Sequence, residues 1–360
     1  MKFRILRNKK KSIVIGINKK EYELQANCLY EHSKDKLIRD AYTNQLLIEA
    51  AEIPKNLKIN QAILNKNCLQ ICFSNKTTHK YAISYLYNQI NGQKNVTEKF
   101  LWDNKNSIIP KYDFLKINDK VLYKIMSAVE KYGFCLVKNI PNKRNGLNEL
   151  MKLIGPVKKT NWGGIADVTS IKKAYDLTMT TRGLENHTDN PYRFPTQGYI
   201  FLHCIENAEK GGSNTIADGF KIAEILKKRY RNHYNTLTTF NTFFKYKDDK
   251  AHLEYSCKLI ELDDNKKIQQ IRYNNRTEVI PYASPLEISR YVEARSKFWQ
   301  LIKNPLNNIK IKQKSGDMLI LDNYRVLHGR SEYTEINNRR YFRQGYMDRD
   351  IFLSKLKTIN

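Results

Sequence analysis

Three side chains could share a metal. His187 and Asp189 stand two apart in Glu185-Asn186-His187-Thr188-Asp189-Asn190-Pro191. In an extended stretch residues i and i+2 point to one face, so an imidazole and a carboxylate can converge there. A second histidine comes from far along the chain, where an apolar strand (Met318 to Leu321), a turn and a second strand end in His328-Gly329-Arg330. Two neutral imidazoles and one carboxylate bind Fe(II) on one side and leave three octahedral positions open. Those positions suit a bidentate 2-oxo acid and then O2. Zinc hydrolysis tolerates the same donors, so the ligands alone leave the metal open. Arg339, Arg340 and Arg343 follow His328 by eleven, twelve and fifteen residues. A planar guanidinium holds the distal carboxylate of a 2-oxo diacid with two parallel hydrogen bonds, which a lysine cannot do. The arginines therefore have a specific task in an oxygenase and none in a hydrolase.

Positioning these groups takes closely spaced strands. After His187 the pattern predicts strands over 198–206, 213–217, 237–246, 267–273, 309–313, 318–321, 324–328 and 340–347. Helices are expected from Asp218, a natural N-cap, to about Tyr230, and from Pro285 to Ile302. Ahead of the site, Asn118 to Lys131 reads as an amphipathic helix, Phe134 to Val137 as a buried strand and Leu147 to Ile154 as a helix. So many short strands with turn signals imply a mainly β fold with flanking helices, a jelly-roll-like double sheet. Apolar runs near Phe3 to Ile17, Leu46 to Ile48 and Cys68 to Phe73, closed by a short helix over 81–90, imply a smaller β-rich module. The expected division is an N-terminal module over 1–92, a linker over 93–112 and a catalytic domain over 113–360.

Composition bounds the alternatives. Lys+Arg 63 against Asp+Glu 36 gives a formal net charge of +27 in 360 residues. Such a balance invites a nucleic-acid or anionic-membrane partner. The lysines are scattered, however, and the one dense block, Lys2 to Lys20, comes with no nucleic-acid motif. The charge is read as a general surface bias, with neither nucleic acid nor membrane as partner. A basic jelly roll that merely binds polyanions is the competing class; it would show steep salt dependence and no need for a 2-oxo acid. No apolar run approaches the roughly 18 to 20 residues of a transmembrane helix, and no signal-peptide pattern opens the chain. Six scattered cysteines, several with apolar flanks, point to reduced thiols and a cytoplasmic setting.

Longer motifs surround the candidate ligands: Leu-Ile-Gly-Pro-Val from Leu153, Thr-Asn-Trp-Gly-Gly from Thr160, His-Thr-Asp-Asn-Pro-Tyr-Arg from His187, Gly-Tyr-Ile-Phe-Leu-His-Cys from Gly198 and Gly-Gly-Ser-Asn-Thr-Ile-Ala-Asp-Gly from Gly211. With Leu-Trp-Asp at 101–103, Leu-His-Gly-Arg at 327–330 and Arg-Arg-Tyr-Phe-Arg-Gln-Gly-Tyr-Met-Asp-Arg-Asp from Arg339, the chain resembles the Fe(II)/2-oxoglutarate-dependent oxygenases of the taurine and 2,4-D dioxygenase superfamily, in the γ-butyrobetaine and trimethyllysine hydroxylase branch. The resemblance implies a double-stranded β-helix, His187, Asp189 and His328 as iron ligands, and O2 as cosubstrate. It implies Arg340 on 2-oxoglutarate, with Arg339 or Arg343 as alternatives and Asn214 near the cosubstrate. It further implies hydroxylation of a small molecule, most of all γ-butyrobetaine or another trimethylammonium compound, with sulfonates, aminophosphonates or amino acids as alternatives. Trp162 and Tyr346 match two walls of an aromatic cage, while Met179 and Ala166 stand where other aromatics would be expected. Asp176, eleven residues before His187, is either a cation partner or a turn cap. A homodimer is implied by resemblance alone. Relatives hold a structural zinc in the N-terminal module; here Cys28 and His79 match two of its ligands, Tyr30 and Ser33 replace the others, and no zinc is expected. His203 is read as a core residue, His233 and His252 as surface residues.

Overall fold

Two compact units, Met1–Val96 and Thr97–Asn360, make up the computed structural model. It describes residues 3–91, 97–174, 176–335 and 339–359; the first part of the expected linker, 93–96, lies outside them.

The first unit is β-rich. Strands Phe3–Asn8, Ser12–Ile17 and Lys20–Gln25 form one antiparallel sheet, and Ile59–Asn65, Cys68–Phe73 and Thr78–Ala82 another. Ile13, Ile15 and Ile17 join Leu69, Ile71, Phe73 and Tyr81 in one apolar cluster. The run at Leu46 to Ile48 makes only an isolated bridge, Leu46 to Arg39. At the two positions where ligands are replaced, the Tyr30 ring lies 4.8 Å from the His79 ring, and the Ser33 hydroxyl accepts the Asp35 N–H at 3.0 Å.

The second unit stacks two sheets face to face, a jelly roll. The larger has six strands in the order Lys111–Asp113, Phe134–Lys138, Met318–Asp322, Tyr199–Glu206, Tyr341–Met347, Ile165–Thr169. The smaller has four, in the order Leu184–His187, Val326–Arg330, Asn214–Asp218, Asn308–Ile311. Strand periodicity divides the core. Ile200, Leu202, Leu319 and Leu321 point between the sheets to Ile216 and Val326. Tyr199, Phe201, Met318 and Ile320 point outward, under the helices Asp119–Tyr132, Gly146–Ile154 and Arg349–Thr358. Residues buried on both faces explain why these strands read as continuous apolar runs.

Local signals set the helix ends. The Asn118 side chain accepts the Val121 N–H, and Gly133 closes that helix at φ +83°, a conformation a side chain would strain. Ser284 and Glu287 form a capping box ahead of Pro285–Lys303. Asp218 caps Gly219–Arg229 and pairs with Arg325, both side chains wholly buried. The same guanidinium donates to the Lys131 and Phe100 carbonyls, and the Trp102 N–H donates to Asp218. Trp102, in the stretch expected as linker, is thereby built into the inter-sheet core. The strand expected over 237–246 splits instead into a helix, Arg231–Thr239, and a strand, Thr242–Lys247. Tyr234 and Leu237, three apart, bury one helical face, and this outweighs the β-preference of the threonines. Among the described residues no helix is long and apolar enough to cross a membrane.

Candidate active site

Adjacent strands of the smaller sheet bring the histidines together. His187, the last residue of Leu184–His187, lies directly across from His328. Their rings are 4.6 Å apart. Asp189 Oδ1 is 3.3 Å from His187 Nε2 and 3.7 Å from His328 Nε2. Metal–ligand bonds of about 2.0–2.2 Å put neighbouring ligand atoms at roughly such separations. Among the described residues this is the one group of three metal-ligating side chains that converges, and all three are buried.

The residue between them shows why the spacing works. Thr188 points the other way, where its N–H and hydroxyl bond to the backbone of Tyr273. His187 and Asp189 are left on the site face, as the i, i+2 alternation requires. Each ligand is also held from behind. His187 Nδ1 lies 2.7 Å from the Glu185 carbonyl, an arrangement that leaves Nε2 free for a metal. The Asp189 N–H donates to Asn323 Oδ1 at 2.8 Å, and Asn323 Nδ2 donates back to the Asp189 carbonyl at 3.1 Å. Gln344 Nε2 and the Tyr346 hydroxyl both donate to Asp189 Oδ2 at 2.8 Å, so Oδ1 is the oxygen turned to the imidazoles.

Electrostatics keep the set in its ligating form. Burial alone would raise Asp189, but the facing His328 and His187 and the Tyr346 hydroxyl hold it well below the usual carboxylate range. Burial pushes His328 down to about 4 against the pull of Asp189, with the His187 ring and the Arg276 guanidinium adding to the effect. The imidazole is therefore neutral and can offer a lone pair.

A small hollow of about 50 Å³ adjoins the ligands and is lined by Asn214, Arg330, Arg340 and Phe342. Of the three candidate arginines only Arg340 reaches it. Its side chain is buried over the Phe342 ring, 3.9 Å from the centroid, and its Nε and Nη1 have no partner among the described residues. Arg339 is exposed and directed to Thr169 and Ser170. Arg343 has the opposite strand parity to Phe342 and Gln344; it lies across from His203 and pairs with Asp167 at 3.0 Å. Asn214 faces the hollow with its amide donating to Gln313 at 2.7 Å. A buried guanidinium with unspent donors beside three metal-ligating groups fits a chelating 2-oxo diacid.

A larger cavity of about 830 Å³ opens on the other side of Asp189, within the size range of small-molecule sites. Trp162, Tyr346, Asp176, Met179 and Ala166 all line it. Tyr346 is placed differently from a simple cage wall, because its hydroxyl is committed to Asp189. Asp176 caps a short turn through Thr178 and stands 3.8 Å from Arg276. Two aromatics beyond those expected complete the wall. The Tyr246 ring is 5.1 Å from Trp162 and 5.3 Å from Tyr192. Tyr192 lies only three residues beyond Asp189, so the ligand motif itself was a signal for it; Tyr246 was hidden at the end of the misassigned strand. Gln344 and Asn323 were also missed, although Gln344 is two residues from Tyr346 on one strand face. Arg330 pins the cavity's edge, donating to the carbonyls of Thr178, Thr180 and Arg182.

The chain is similar to known proteins. Residues 105–346 match the family described as taurine catabolism dioxygenase TauD, TfdA family. The chain is 24% identical to the trimethyllysine dioxygenase of Meyerozyma guilliermondii over 344 residues, 88% of this chain and 86% of that one. It is 27% identical to the human γ-butyrobetaine dioxygenase over 356 residues, covering 93% and 89%. The γ-butyrobetaine dioxygenase of Pseudomonas sp. strain AK-1 is 31% identical over 252 residues, 69% of this chain and 65% of its own. A solved taurine dioxygenase from Burkholderia xenovorans shares the fold, with a TM-score of 0.51 at 11% identity over 64% of this chain and 82% of that one. The chain thus belongs to the TauD/TfdA family and is an Fe(II)/2-oxoglutarate-dependent dioxygenase.

Proposed function

We propose that this dioxygenase hydroxylates an unactivated C–H of a small trimethylammonium compound, γ-butyrobetaine or a close relative. The observation that carries the reading is the cluster of Trp162, Tyr192 and Tyr246 in the cavity beside the His187–Asp189–His328 set. A quaternary ammonium offers no hydrogen to bond, so ring faces are its natural partners. The names of relatives that act on γ-butyrobetaine and trimethyllysine support the same class.

In this reading His187, Asp189 and His328 hold Fe(II), and Arg340 grips the distal carboxylate of 2-oxoglutarate in the hollow beside Asn214. Fe(II) with 2-oxoglutarate and O2 supplies the oxidising chemistry and yields succinate and CO2. The chain's own task is to fix the substrate and keep water out. Gln344 and Tyr346 orient Asp189, while Trp162, Tyr192 and Tyr246 hold the cation so that a C–H faces the metal. The six free thiols fit a reducing, cytoplasmic compartment.

The test is succinate formation with a panel of trimethylammonium compounds, taurine-like sulfonates and aminophosphonates. Coupled turnover is expected with the first group. Coupling to none of them would refute the substrate class while leaving the dioxygenase chemistry intact. His187→Ala should abolish turnover; an unchanged rate would refute the ligand assignment.

A further inference from the structure

The large cavity contains a guanidinium whose hydrogen-bond donors are unspent. Arg276 lines it, and among the described residues its side chain makes no hydrogen bond. Its ion-pair neighbour is Asp176 Oδ1 at 3.8 Å, beyond hydrogen-bonding reach. That oxygen already accepts the Thr178 N–H at 2.8 Å and the Thr178 hydroxyl at 2.7 Å. Of the other arginines around the site, Arg330 bonds to three carbonyls, Arg272 to Glu261 and the Pro191 and Arg193 carbonyls, and Arg343 pairs with Asp167, while Arg340 faces the separate small hollow.

The backbone holds Arg276 firmly in place. Its N–H donates to Asn274 Oδ1 at 3.1 Å, and Asn274 Nδ2 donates to the Thr188 carbonyl at 3.2 Å. Thr188 sits between His187 and Asp189, so the loop that carries Arg276 is fastened to the metal-ligand motif itself. The segment also pairs with the strand that carries Tyr246. Phe244 lies across from Glu278, and the Lys245 N–H donates to the Thr277 carbonyl at 2.8 Å. The turn that carries Arg276 thus leads directly into the strand that pairs beside Tyr246, and both residues line the cavity.

A fixed cation beside an aromatic wall repels a second cation unless the incoming molecule brings an anion of its own. A planar guanidinium with free donors is suited to a carboxylate, which it can hold with two parallel bonds. We infer that Arg276 is the specificity residue for a substrate carboxylate, so that the preferred substrate is a zwitterion with its quaternary ammonium on Trp162, Tyr192 and Tyr246 and its carboxylate on Arg276. The inference rests on the trimethylammonium reading above and narrows it: a cation lacking the anionic end is a poor substrate.

The experiment compares wild type with Arg276→Gln, Arg276→Lys and Asp176→Asn, each loaded with Fe(II) and 2-oxoglutarate. KM and kcat are measured for γ-butyrobetaine, for its alcohol counterpart without the carboxylate, and for 4-aminobutyrate without the quaternary centre. Loss of one charge-assisted contact should raise the KM of Arg276→Gln for γ-butyrobetaine on the order of 10- to 100-fold. Binding lost equally in ground and transition states leaves kcat little changed. Arg276→Lys should recover part of the loss, the alcohol should be used no worse than by wild type, and the KM for 2-oxoglutarate should hold. Three results overturn the inference: a γ-butyrobetaine KM within twofold of wild type, an equal rise for the alcohol, or an equal rise in Asp176→Asn, which would make the pair merely structural. The two readings fail separately. Wild type that couples only the anion-free cation refutes the role of Arg276, whereas coupling of 4-aminobutyrate alone, lost in Arg276→Gln, refutes the cation half. Wild type that couples none of the three refutes both.

Discussion

Gly329 sits next to His328, and its missing side chain is what lets three strands close around the metal ligands. A Cβ at this position would run into the Leu184 carbonyl oxygen and come within 2.6 Å of Asn186 Oδ1 and 2.9 Å of Thr215 Oγ1. Leu184 and Asn186 belong to the strand that ends in His187, and Thr215 lies on the strand at the other side. The Thr215 hydroxyl donates to Asn186 Oδ1 at 2.6 Å, directly over the glycine. Gly329→Ala forces a methyl into that bridge. Overpacking typically costs about 1–3 kcal/mol, and losing the hydrogen bond adds about 1 kcal/mol. The total, near 3 kcal/mol, corresponds to a fall in Tm of roughly 6–12 °C for a unit of this size. The displaced strand carries His187 away from His328. Misoriented ligands lower metal affinity by about 10- to 100-fold. Calorimetric titration of Fe(II) without oxygen, with a thermal melt of the same sample, measures both. Thr215→Ala in the same chain should recover part of each loss, because it removes one of the clashing groups and frees Asn186 to move. A variant that loses stability but binds Fe(II) like wild type would refute the reasoning, since the clash would then be absorbed without parting the histidines.

Three other outcomes follow from the same geometry. Arg340→Lys keeps the charge but not the fork, so the KM for 2-oxoglutarate should rise on the order of 10- to 100-fold, while Arg339→Gln leaves it unchanged; the reverse pattern would reassign the anchor. Tyr346→Phe removes one of the two donors to Asp189 Oδ2, so Fe(II) affinity should fall about 10-fold, read by metal titration. Burial, with Arg343 adding to it, pushes the His203 imidazole down to about 4 from 6.5. The unfolded chain takes up that proton first, so stability should fall as pH drops from about 6.5 towards 4 and level off below, by roughly 3 kcal/mol in all; the pH dependence of Tm should lose this step in His203→Met.

Legibility in the sequence followed the range of each signal. The metal set could be read because few residue types ligate Fe(II) and because His-x-Asp needs only strand alternation to converge. Arg340 could be separated from Arg339 and Arg343 by one further step of the same rule: Phe342, Gln344 and Tyr346 share its parity, and that face looks at the metal. The end of the helix over 231–239 was misread because its threonines and Phe-rich continuation imitate a strand, and that error hid Tyr246. The cavity aromatics Trp162, Tyr192 and Tyr246 come from three separated segments. No local pattern joins them, since what unites them is the closure of the loops over one cavity. Trp102 gave little sign of its burial for a similar reason: the stretch around Phe100-Leu101-Trp102 is polar, and its place in the core depends on the distant Asp218–Arg325 pair.

The net charge of +27 and a cavity built for a cation stand opposed only if charge acts globally. In physiological salt the screening length is about 8 Å, so lysines scattered over the surface contribute little inside. Within the site the charges fall into groups. A divalent metal and Arg340 together carry as much positive charge as Asp189 and a 2-oxo diacid carry negative charge. Asp167 lies between Arg343 and the exposed Arg144, and Lys245 pairs with Glu254. What remains lining the cavity is Lys247, the Arg276 guanidinium 3.8 Å from an Asp176 carboxylate bonded to Thr178, and the quadrupoles of the aromatic wall. A lone quaternary cation would leave the donors of Arg276 unspent, and an anion alone would leave the aromatic wall unused. A zwitterion satisfies both and carries no net charge for the protein's field to repel, so salt should scarcely alter its KM.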